Sequence, residues 1–138
     1  MNQRKYVLDL LHDTGFIHAK PAATPMVATS RLSNDSGDLL PDNSLYRKLI
    51  GKLLYLCTTR PNITHAVQQL SQYLDRPTTI HRTVAHRVLR YLKASPGKGL
   101  FFSTDSSLQI KSFSDSDWAT CPDSRKSVSG YCVSLVIP

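Results

Sequence analysis

The sequence predicts an α+β fold in which an N-terminal helical bundle precedes an antiparallel β meander. Three observations carry that prediction. Up to about residue 98 the apolar residues recur every three or four positions, the period of a helix face. After Gly99 they alternate, the period of a strand. Between the two regimes stands Pro96-Gly97-Lys98-Gly99, a cluster of breakers that sets a boundary between residues 1–98 and 99–138. Helices first and strands afterwards is the pattern of α+β rather than of alternating α/β.

Each element follows from its residues. QRKYVLDLLHDTG places Val7, Leu10 and Leu11 at helical spacing, with Gly15 as its stop. A connector rich in Pro, Ser, Thr, Asn, Asp and Gly then runs from Phe16 to Ser44. It reads as irregular, partly extended near Lys20–Pro25, and its length suggests a surface wrap or hinge. A second helix starts near Ser44. Leu45, Leu49, Leu53 and Leu56 form its expected buried stripe, with Ile50 and Leu54 beside it, and Gly51 is expected to allow a close helix contact. Pro61 is suited to open a third helix whose apolar face is Ile63, Ala66, Val67, Leu70, Tyr73 and Leu74. In the fourth, TTIHRTVAHRVLRYLKAS, Ile80, Val84, Val88, Leu89 and Leu92 are expected inside, and His81 and His86 at the surface. Strands are expected in GLFFST, LQIKSFSDSDW and SGYCVSLVI, with Asp123–Ser127 as a hairpin loop.

Composition narrows the class. The 138 residues are 41% hydrophobic and 20% charged, a globular balance. No apolar run approaches the roughly 18 residues of a membrane span. MNQRKYVLDLLHD has a basic start but no small-residue cleavage site, and Asp9 and Asp13 interrupt it, so residence inside the cell is expected. Cys57, Cys121 and Cys132 are odd in number and widely spaced, which suggests reduced thiols rather than a zinc site or a disulfide framework. The net charge of +7 is uneven: residues 1–98 hold 14 Lys and Arg against 6 Asp, and residues 99–138 hold 3 against 4. All ten acidic residues are Asp, and the chain contains no Glu.

Two constellations carry chemistry. Arg82, His86, Arg90 and Lys93 recur every three or four residues on one side of the fourth helix. Arg82, Arg87, Arg90 and Lys93, extended by Lys98, could contact phosphates without reading sequence; an ordinary solvated face has the same spacing. Asp115 and Asp117 fall on one face of a strand, where two carboxylates could hold a divalent metal, but a strand-edge or turn role has the same pattern. Two aspartates fall short of the carboxylate set that two-metal hydrolysis of nucleic acid requires. No nucleophile-elbow motif accompanies the many Ser and His residues.

YRKLIGKLLYLCTTRPNITHAVQQLSQYLDRP, RVLRYLKASPGKGL and LQIKSFSDSDWATCPDSRKSVSGYCVSL, preceded by QRKYVLDLLHDTG and KPAATPM, resemble the Pol polyprotein of copia-type LTR retrotransposons of plants along almost the whole chain. The resemblance implies that residues 1–98 are the thumb-like C-terminal end of a reverse transcriptase, which grips a template–primer duplex. Residues after about 105 would open a ribonuclease H-like domain, whose first strand carries a metal-binding Asp. Asp115 matches that position best and Asp117 is second. The complete family enzyme uses Mg2+; for this chain no cofactor is expected. Asn62 departs from the family's usual Asp, Ala94-Ser95 from Gly-Thr, and Ser116 and Thr120 from Ala and Gly. No Y/F-x-D-D polymerase motif is present, and the ribonuclease H part ends before the family's helical Glu and later Asp residues.

The expectation is therefore a polyprotein fragment, non-catalytic alone, that binds RNA–DNA hybrid or duplex through phosphates. It is expected in cytoplasm or nucleus, with an organelle left open. Strands without covering helices are expected to promote self-association. One alternative is part of an active RNA-directed DNA polymerase and ribonuclease H, completed by further segments. The other is a recruited protein-interaction module.

Overall fold

A computed structural model describes residues 1–102, 109–117, 119 and 121–136, and gives the backbone alone at Gln109, Asp117, Val128, Ser134 and Val136. The fold is α+β. Helices α1 (Arg4–Asp13), α2 (Ser44–Leu56), α3 (Thr64–Ser71) and α4 (Thr79–Ala94) precede strands β1 (Gln109–Asp117) and β2 (Val128–Val136). The chain divides into two compact units, Met1–Leu100 and Phe101–Pro138.

In the first unit α4 packs against α1, α2 and α3, and α2 against α3. The core joins Val7, Leu10 and Leu11 of α1 to Leu53 and Leu56 of α2, Val67 and Leu70 of α3, and Val88, Leu89 and Leu92 of α4. Each such side chain, fully buried, contributes about 1.5–3 kcal/mol of transfer free energy. Helix α1 stops as its sequence suggests. Gly15 has φ +77°, Gly15 N–H donates to His12 O (3.1 Å) and Phe16 N–H to Leu11 O (2.8 Å), the paired bonds of a Schellman end. Pro61 opens a 3-10 turn, Pro61–Ile63, that leads into α3. Past Ser71 the turn tightens, with Tyr73 N–H donating to Leu70 O (3.2 Å), so Tyr73 still reaches the core.

Several expectations are corrected. Leu45 is 76% exposed and Leu54 is also exposed. The buried face of α2 is rotated to Tyr46, Leu49, Ile50, Leu53 and Leu56, because the Tyr46 hydroxyl finds a buried partner in Leu70 O (2.8 Å). Gly51 makes no close helix contact, since a Cβ there would meet nothing within 4 Å. On α4, Ile80 is exposed, and Ala85 and His81 face the core instead. His81 is fully buried: its Nδ1 accepts from the Thr78 N–H (3.0 Å) as half of a capping box, and its ring stacks on Tyr73 with centroids 4.0 Å apart. The connector, as expected, is irregular and holds no helix or strand. It wraps the helices and drives Leu32 into the core, where Tyr73 Oη donates to Leu32 O (2.8 Å).

In the second unit β1 and β2 form a two-stranded antiparallel sheet, with Gln109 opposite Val136 and Asp117 opposite Val128. The loop between them holds Cys121 N–H on Lys126 O (3.3 Å) and Arg125 N–H on Cys121 O (2.9 Å). The first strand of the expected meander is not formed at Leu100–Phe102, and its Ser103 and Thr104 lie outside the described residues, as do Leu108, Trp118 and Ile137 of the others. Ile110, Tyr131, Val133 and Leu135 share one face of the hairpin and are exposed. Cys57 is half-buried, Cys121 buried and Cys132 exposed, all as free thiols. Among the described residues no helix is long and apolar enough to cross a membrane.

Candidate nucleic-acid interface

Helix α4 organises the candidate site. Its capping box fixes where the helix begins, and its apolar residues press Ala85, Val88, Leu89 and Leu92 into the core. The remaining surface carries Arg82, Arg87, Arg90 and Lys93. Arg82 is exposed, and the other three are half-buried because the connector lies across them. Arg87 donates from Nε to Thr24 O (3.1 Å) and from Nη2 to Thr24 Oγ1 (2.9 Å). Arg90 Nε donates to Lys20 O (2.7 Å), and Lys93 Nζ to Ala19 O (2.6 Å). In return Ala22 N–H donates to Arg90 O (3.2 Å). Lys98 is exposed in the turn after α4, its N–H on Ser95 O (3.1 Å).

The electrostatics are one-sided. Among the described residues Arg82, Arg87, Arg90 and Lys93 form no ion pair with a carboxylate, and every acceptor named above is neutral. A carbonyl orders a cation without cancelling its charge, so the face keeps its positive potential. His86, expected at the surface, is half-buried beside Phe16 with ring centroids 4.7 Å apart. Burial, and then the charge of Arg82, lower its pKa from the usual histidine value.

The sequence motifs did not single out Arg60. It is only 1% exposed, donates from Nη1 to Ser95 O (2.8 Å) and from Nε to Asn62 Oδ1 (3.3 Å), and its Nη2 meets no acceptor among the described residues. Burial lowers its pKa from the usual arginine value, and Tyr91 opposes that shift. Its guanidinium holds the carbonyl of Ser95, the residue that follows α4, and so ties down the C-terminal end of that helix. Its backbone acceptor lies 35 residues away in the chain, and such a contact leaves no signal in the sequence. Lys20, which reaches the site through its carbonyl, was missed for the same reason.

A cleft of about 590 Å3 adjoins the face at Arg82 and is lined by residues including Leu10, Leu45, Leu49, Lys48 and His86. Lys52, also on its wall, is paired with Asp13 (3.4 Å). In the second unit Asp115 stands exposed on β1 opposite Gly130; Asp117 is two positions on, opposite Val128, and its side chain lies outside the described residues. Among the described residues no three His, Cys, Asp or Glu side chains converge. One exposed carboxylate does not make up an Mg2+ site, so the described residues do not fit that ion.

Relatives match nearly the whole chain. The retrovirus-related Pol polyproteins from transposons RE2 and RE1 of Arabidopsis thaliana are each 44% identical over 135 residues, covering 98% of this chain and 9% of the polyprotein. An uncharacterized mitochondrial protein of Arabidopsis thaliana is 49% identical over 79 residues, covering 57% of this chain and 71% of that protein. The chain thus spans 9% of the length of the two Pol polyproteins it matches. No protein-family model and no solved structure matches it. With identity of this level over 98% of its length, the chain belongs to the retrovirus-related Pol polyproteins of copia-type plant retrotransposons, as a segment of that polyprotein.

Proposed function

We propose that this segment is a nucleic-acid-holding part of the polyprotein, non-catalytic by itself, that binds RNA–DNA hybrid or duplex through backbone phosphates. One observation carries the reading. Arg82, Arg87, Arg90 and Lys93 lie along one helix and, among the described residues, meet no carboxylate, while three of them are held by neutral oxygens. Uncompensated cations spaced along a helix suit phosphates and carry no base readout. In this reading residues 1–98 are the thumb-like end of a reverse transcriptase, with Lys98 at the end of the track. Residues 99–138 open a ribonuclease H-like domain in which Asp115 occupies the position of an ancestral metal ligand. The chain contains no Y/F-x-D-D motif and no Glu, which supports a holding role over a catalytic one.

The test is fluorescence anisotropy of a labelled RNA–DNA hybrid titrated with the whole chain across a salt series. Saturable binding is expected, with a log–log salt slope of magnitude about 3 to 5, one phosphate for each of the four or five cations. Charge reversal at Arg82, Arg90 and Lys93 should flatten it. A folded chain that fails to saturate at low salt would refute the reading and bring the protein-interaction alternative forward.

A further inference from the structure

We propose that the connector stretch Ala19–Thr24 is itself part of the nucleic-acid interface: a strap that pre-orders Arg87, Arg90 and Lys93 for phosphates and adds the charge of Lys20. The inference rests on the nucleic-acid reading above and deepens it.

The strap runs antiparallel to α4, with Ala19 facing Lys93, Lys20 facing Arg90 and Thr24 facing Arg87. It is tied in the other direction by Ala22, a buried residue whose N–H donates to Arg90 O (3.2 Å). Its sequence, AKPAAT, contains no acid, so nothing within it neutralises the face it covers. Pro25 restricts Thr24 to extended backbone, and Pro21 fixes φ at its own position, which stiffens the stretch.

Donor arithmetic decides between a strap that readies the cations and one that consumes them. A guanidinium has five N–H donors and an ammonium three. The strap takes two from Arg87, one from Arg90 and one from Lys93. Most donors remain for an anion, and the acceptors already engaged are neutral. Immobilising long side chains is a main cost of binding, and the strap meets that cost in the free protein. Lys20, exposed and joined to Arg90 through its carbonyl, brings a further cation to the same neighbourhood.

The experiment uses the full chain and the labelled hybrid, with Thr24→Val, Lys20→Gln and amide hydrogen exchange of residues 19–24. Thr24 is exposed, so the valine is expected to fold, and helical circular dichroism checks it. Thr24→Val removes the Oγ1 acceptor of Arg87 without changing charge. It should weaken binding about two- to ten-fold at an unchanged salt slope. Lys20→Gln should reduce the slope magnitude by about 0.9. Exchange across the strap should slow when hybrid binds. Unchanged or tighter binding by Thr24→Val, an unchanged slope for Lys20→Gln, or faster exchange on binding would overturn the strap, marking it a bystander or a cover that phosphates displace. Absence of binding by the wild-type chain would overturn the nucleic-acid reading as well; wild-type binding with indifferent variants overturns the strap alone.

Discussion

Asn62→Asp is expected to stabilise the helical unit, because it supplies an anion to a buried arginine that has none among the described residues. Arg60 Nε lies 3.3 Å from Asn62 Oδ1, and Asn62 Nδ2 donates to Tyr91 Oη (2.6 Å). In the variant both carboxylate oxygens accept, one from Arg60 and one from the Tyr91 hydroxyl, so neither contact is lost. A neutral hydrogen bond contributes about 1 kcal/mol and one to a charged group about 1.5–3 kcal/mol. Asn62 is exposed, and solvent screening places the gain in the lower half of that roughly 0.5–2 kcal/mol difference, at about 1 kcal/mol. For a unit of this size that raises Tm by about 4–8 °C. The arginine favours the charged form of the new carboxyl, so its folded pKa falls below the unfolded value of about 3.9. The stabilisation is then complete above about pH 5 and disappears as pH falls through the folded pKa. Urea denaturation followed by helical circular dichroism, near neutral pH and again near pH 2, measures both. No gain at neutral pH, or an equal gain in acid, would refute the ion-pair reasoning.

Glycines and exposed side chains give further expectations. Gly51→Ala should stabilise by up to about 1 kcal/mol, because the helix interior favours Ala and the added methyl meets nothing within 4 Å; denaturant midpoints test it. Gly37→Ala should instead destabilise by about 1–2 kcal/mol, since Gly37 has φ +79° and its Cβ would lie 2.7 Å from Ile80 Cγ1 and 2.9 Å from Thr79 Oγ1. His86 should titrate below the ordinary histidine value by NMR, and Arg82→Gln should restore only the smaller part of the shift, because burial is its larger cause. A histidine with a depressed folded pKa makes stability fall as pH drops from about 6.5 to that pKa, and His86→Gln should flatten this window. The exposed Ile110, Tyr131, Val133 and Leu135 of the hairpin should drive concentration-dependent association in sedimentation, relieved by Ile110→Lys with Val133→Lys; a monomeric wild-type chain would contradict it.

What could be seen in the sequence, and what could not, follows from which atoms make each contact. The helices were legible because burial selects side chains at a 3.6-residue period, and Val7, Leu10 and Leu11 or Val88, Leu89 and Leu92 obey it. The buried stripe of α2 departs from the spacing of its leucines, because Tyr46 takes the core position its hydroxyl can satisfy and Leu45 is left outside. His81 was misplaced for a related reason. A polar ring is readily assigned to the surface unless its cap partner Thr78 and its stacking partner Tyr73 are recognised together. The spacing of the basic residues was legible on α4, but their engagement with the connector was not. Arg90 and Lys93 are held by the carbonyls of Lys20 and Ala19, and Arg60 by that of Ser95. Every residue carries a carbonyl, so selection on these bonds acts on backbone path and leaves residue identity nearly free. Only Thr24, whose side-chain oxygen takes part, and Pro25, which orients it, leave a mark in the sequence. Thr24 therefore offers the more selective test of the strap: its hydroxyl can be removed while every charge and every backbone carbonyl in the interface is kept.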